Sequence, residues 1–80
     1  MIFLFLATVI WNGKKSEYNV FEFKLNPSRY KAELISSTIR FPVKEIIFWR
    51  TKNGWQTALK SKEGKNLAEV LGDDIDNSKN

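Results

Sequence analysis

The sequence predicts an α+β fold: a small antiparallel meander sheet of four to five strands with one C-terminal helix packed on one face. Three observations carry this expectation. Residues 2–60 read as short runs of β-branched and aromatic residues, punctuated by Gly, Pro and Asn. The connections between these runs are short, so strands adjacent in sequence should be adjacent in space. Beyond residue 63 the apolar spacing changes, and Leu67, Val70, Leu71 and Ile75 fall on one face of a helix. The 80 residues are read as one domain, with the sheet over about 2–60, the helix over about 63–76 and a fraying tail at 77–80.

The first element, "MIFLFLATVIW", has Thr8 as its one polar side chain. No basic residue precedes the apolar run and no small-residue cleavage pattern follows it, as a secretory signal would need. The run is also short of the roughly 20 residues that cross a bilayer. It reads as a strand stopped by Asn12-Gly13, although a cleaved leader is the competing reading. "SEYNVFEFKL" then alternates as a second strand. A four-residue loop, Asn12 to Lys15, would pair Leu6 with Phe21, Leu4 with Phe23 and Ile2 with Leu25. Asn26-Pro27-Ser28 breaks that strand, and its proline disqualifies it as a glycosylation sequon.

Residues 29–41 alternate through Tyr30, Ala32 and Leu34, and Ser36, Ser37 and Thr38 are poor helix formers, so a third strand is favoured over a short helix. "KEIIFWRT" and "WQTALK" form a hairpin around Lys52-Asn53-Gly54. A two-residue turn at Asn53-Gly54 would put Trp49 and Trp55 on opposite faces. A three-residue turn with a left-handed Gly54 would pair Thr51 with Trp55 and gather Ile47, Trp49, Trp55 and Leu59 on one face. The second register separates apolar from polar better and is the one expected. Gly72 should interrupt the helix or end its regular part.

Composition removes much chemistry. The chain has no Cys and no His, so disulfides, zinc sites of the usual kind, Cys–His nucleophiles and Ser–His–Asp triads are all excluded within it. The acidic "GDDID" lacks the ligand spacing of an EF-hand, and no Walker A, GxGxxG or nucleophile-elbow pattern occurs. No cofactor, metal or catalytic residue is expected, and an enzyme working through carboxylates or lysine is the remote alternative. Eleven aromatic residues, six Phe, three Trp and two Tyr, must supply the core.

Charge is uneven. Residues 1–67 hold twelve Lys and Arg against five Glu, and the remaining segment holds Glu69, Asp73, Asp74 and Asp76 against Lys79, summing to +4. A basic body suits an acidic partner: nucleic acid, a membrane surface or an acidic protein. The first expectation for function is a non-catalytic protein-interaction or regulatory domain, cytoplasmic, with Phe3, Phe5, Val9 and Trp11 on one side of the first strand as the surface for a protein partner or a second copy. The alternative is single-stranded nucleic-acid binding through a basic aromatic face of Phe48, Arg50, Gln56 and Lys60. That face lacks any RNP-type run or Gly-x-x-Gly loop.

Overall fold

The computed structural model describes residues 1–24 and 27–78. Five strands, β1 (Ile2–Trp11), β2 (Lys14–Phe23), β3 (Arg29–Ser37), β4 (Glu45–Thr51) and β5 (Gly54–Thr57), precede one helix, α1 (Lys62–Ser78). The strands form one antiparallel sheet in the order β1-β2-β3-β4-β5, the meander that short connections dictate. The helix packs on β5, β4 and β1, so the sheet curls until both edge strands approach the same helix.

The β1–β2 turn is tighter than the four-residue loop expected. Asn12 and Gly13 both take positive φ, 51° and 75°, the backbone of a two-residue type I′ turn, and Trp11 pairs with Lys14. Leu6 therefore faces Asn19 rather than Phe21. A bulge between Phe3 and Phe5 then shifts the register, so Phe3 faces Phe21 and Phe5 faces Val20. The expected partner of Ile2, Leu25, lies outside the described residues.

The β4–β5 register also differs from both alternatives weighed. The turn residues are Lys52 and Asn53, Thr51 pairs with Gly54, Arg50 with Trp55 and Trp49 with Gln56. Trp49 and Trp55 thus project from opposite faces. Gly54, at φ 103°, takes the left-handed conformation immediately after the turn. The Thr51 hydroxyl closes the corner by donating to the Gly54 carbonyl at 3.0 Å and accepting from the Asn53 N–H at 3.1 Å.

The core lies between the concave sheet face and α1. Val20, Ala32, Ile46 and Phe48 from the sheet meet Leu67, Ala68, Leu71 and Ile75 from the helix. Helix residues Gly64, Leu67, Ala68, Leu71, Gly72 and Ile75 are all buried, the spacing of one helical stripe. Gly72 lies inside the helix rather than ending it. A Cβ there would overlap the Trp55 ring, so glycine lets the helix seat directly on that ring. Trp55 in turn packs against Tyr30 and Phe48, with centroids 5.5 and 5.7 Å away. Ser61 caps the helix, its hydroxyl accepting from the Gly64 N–H at 3.1 Å.

Candidate binding surface

The expected nucleic-acid residues do not share a surface. Phe48 is 0% exposed, at the centre of the core, because the observed hairpin register turns it toward α1. Arg50 is exposed and stacks over Trp55 at 5.2 Å, where it pairs with Asp76. That carboxylate holds the guanidinium even more firmly charged than usual. Gln56 lies across from Trp49 on the convex face, and Lys60 follows the last strand. The sequence signal that misled was the assumption that Phe48 alternates away from the helix. Trp49 does so instead, under the Arg29 guanidinium at 4.5 Å.

The expected interaction set on β1 is also split. Val9 is buried, while Phe5 and Trp11 are half-buried on the helix side. The bulge at Leu4 moves Phe3 to the convex face, where it is 54% exposed and meets Phe21 edge-on at 5.7 Å. The apolar side chains that β1 displays are therefore Ile2, Phe3, Leu6 and Ile10, at 46%, 54%, 54% and 63% exposed. Further across the sheet, Lys31 bridges Glu33 and Glu45 at 3.5 and 3.4 Å, beside the exposed Ile47.

β1 is an edge strand, bonded to β2 alone. In a two-residue hairpin the closing pair, Trp11 and Lys14, exchanges hydrogen bonds, and the pattern alternates from there. Val9, Ala7 and Phe5 thus bond inward to β2, while Leu6, Thr8 and Ile10 point their N–H and C=O groups at the open edge. Beyond the bulge at Leu4, nothing on β1 guards that edge: it carries no charge and no proline over ten residues. The opposite edge, β5, is four residues long. Short edges are one of the common protections against strand addition, so the two edges differ sharply in availability.

A groove of about 480 Å³ runs along this open edge. Its walls are Leu4 to Thr8 on one side and Asp74 and Ser78 of α1 on the other. Partial burial, with the neighbouring Asp73 charge, pushes the Asp74 carboxyl above its ordinary value of 3.8. A cation placed in the groove would relieve that strain. A second, much smaller cleft of about 30 Å³ lies between the helix and the 39–43 segment and has room for a single water. There the Tyr18 hydroxyl donates to the Val43 carbonyl at 2.7 Å, and burial beside Glu63 raises its pKa.

Among the described residues no cluster of His, Cys, Asp or Glu could hold a metal, and no helix is long and apolar enough to cross a membrane. No family model matches this chain, and no curated protein or solved structure matches it either.

Proposed function

We propose that this chain is a non-catalytic protein-interaction domain that accepts an extended segment of a partner protein as a sixth strand beside β1. The observation that carries this reading is the groove: an unguarded edge strand on one wall and a helix carrying Asp74 on the other. Strand addition supplies main-chain hydrogen bonds for affinity, while alternate side chains supply specificity. The incoming segment bonds to Leu6, Thr8 and Ile10, lays apolar side chains beside Leu6 and Ile10, and directs a Lys or Arg at Asp74. A second copy of the chain offers an equally bare β1, but β1 holds no cation to satisfy that carboxylate. A partner segment with a basic residue is therefore the better occupant.

The test is selection of displayed random peptides against the intact protein, repeated with Thr8→Pro. The Thr8 N–H points at the open edge, so proline there costs the sheet no internal hydrogen bond while removing one offered to the partner. The expected result is a family of alternating apolar sequences with a Lys or Arg, and binding lost in the variant. Peptides that bind Thr8→Pro equally well would overturn the reading, as would a selection that recovers none.

A further inference from the structure

The connection from β3 to β4 displays an aromatic ring on a rigid mount. At one end, the Thr38 N–H donates to the Lys15 carbonyl at 2.9 Å and the Lys15 N–H donates to the Thr38 hydroxyl at 3.0 Å. At the other, the Leu34 N–H donates to the Lys44 carbonyl at 2.9 Å and the Tyr18 hydroxyl holds Val43. Between these anchors Ile39 and Val43 turn inward to the small cleft beside Trp11 and Leu67. Pro42 keeps the residue before it extended. Phe41 is left 79% exposed, the most exposed of the large apolar side chains among the described residues, with the Arg40 guanidinium 5.4 Å from its ring.

Arg40 lies against this ring, and further cations lie on the elements that meet at the cleft. The cleft brings the end of β1, the 39–43 segment and the first turns of α1 together, so their exposed charges share one end of the molecule. Lys14, Arg40, Lys44, Lys60, Lys62 and Lys65, on or next to those elements in sequence, are all exposed. Among the described residues none of the six makes an ion pair, while Lys15 at this end pairs with Glu17, and Glu63 lines the cleft. The helix adds its own field. Its N-terminus, the positive end of the dipole, carries Lys62 and Lys65 with Glu63, while its negative end carries Asp73, Asp74 and Asp76. Helices favour the opposite arrangement, so these positions weaken α1 and polarise the molecule.

We infer that this basic end docks on an anionic lipid surface, with Phe41 inserted at the headgroup level. Lysines and arginines near such a surface are attracted by its negative potential, and an exposed apolar ring adds burial that charge alone does not. The neighbours of Phe41 favour lipid over nucleic acid. Base stacking draws on exposed flat rings, and at this end Phe41 is the exposed one: Trp11 is half-buried and Tyr18 buried at the cleft, while the exposed Ile10 is aliphatic.

The experiment is cosedimentation of the intact protein with phosphatidylserine-containing vesicles, with phosphatidylcholine vesicles as the neutral arm and single-stranded RNA as a third. The expected result is binding to the anionic vesicles alone, weakening as salt rises. Phe41→Ser should lower the partition coefficient about tenfold or more. Arg40→Gln with Lys44→Gln should lower it about 25-fold, about fivefold for each cation. All three side chains are exposed, so an unchanged melting curve verifies that each variant is folded. Absence of binding to anionic vesicles at low salt overturns the inference. Undiminished binding by Phe41→Ser overturns it too, as does binding to RNA without binding to vesicles.

Discussion

Replacing Gly72 with alanine probes the contact that sets the distance between helix and sheet. In an exposed helix interior this change stabilises by about 1 kcal/mol, because alanine restricts the unfolded chain and favours the helix. Here the new methyl group would overlap Cγ, Cδ1 and Cδ2 of Trp55. The ring has little freedom to yield, since Tyr30 and Phe48 hold its other sides and it is 9% exposed. Overpacking of this kind costs about 1–3 kcal/mol, and driving the ring out altogether costs about 3–5 kcal/mol, as in loss of a buried Trp. Because the overlap falls on ring atoms that cannot bend aside, the second case applies, and net of the propensity gain the expectation is a loss of about 2–4 kcal/mol. For a domain of this size that lowers the melting temperature by about 10 °C or more. Thermal unfolding followed by circular dichroism measures it, and Trp55→Val should remove most of the penalty in a double-mutant cycle. A Gly72→Ala protein that melts at or above the parent temperature would refute the argument that Trp55 requires glycine beneath it.

Three further perturbations separate the parts of the account. The raised Asp74 pKa means that the folded state holds its proton more tightly than the unfolded chain. Its contribution is therefore fully favourable below the unfolded value and is lost as pH rises through the folded one, so Asp74→Asn should gain stability relative to wild type toward neutral pH and none in strong acid. Denaturant titrations at several pH values read this directly, and a difference that does not change with pH would count against it. Tyr18→Phe removes the hydroxyl that holds Val43, which should cost about 1 kcal/mol and speed exchange of the Leu34 amide beside it. Unchanged exchange would mean that the 39–43 segment is held by other contacts. Asn12→Val places a β-branched residue at φ 51° and should destabilise the β1–β2 hairpin by about 1–2 kcal/mol, as read from the melting temperature. No loss would argue against the type I′ turn.

Much of the architecture was legible because it rests on local chemistry. The run at 2–11, the Asn12-Gly13 stop and the change to helical spacing at Leu67, Val70 and Leu71 each specify an element without reference to the rest of the chain. The faces of the strands were harder. The bulge at Leu4 leaves no mark in the residues around it, yet it moves Phe3 to the face opposite Phe5. The β4–β5 register depended on which residues occupy the turn, and segregation of apolar groups favoured a pairing that buries Trp49 with Trp55. The choice was in fact made at a distance, by Gly72 on the helix, whose missing side chain admits Trp55. Gly72 could have been read as a site of close approach rather than of interruption, since it lies four residues after Ala68 and eight after Gly64 on the buried stripe. The groove was invisible for a related reason. It exists only because the sheet curls far enough for α1 to stand beside an edge strand that is distant in sequence.

Strand addition at β1 is decided by its amide hydrogen exchange, measured by NMR on the free protein and again with a peptide selected on it. In the free protein the amides of Ala7 and Val9, bonded to β2, should exchange slowly, and those of Leu6, Thr8 and Ile10 should exchange fast at the open edge. Saturating peptide should slow these three by several-fold or more and leave the rest of the sheet nearly unchanged, which is the signature of an added strand. Slow exchange at Leu6, Thr8 and Ile10 before any peptide is present, or protection that appears elsewhere when it binds, would contradict the account.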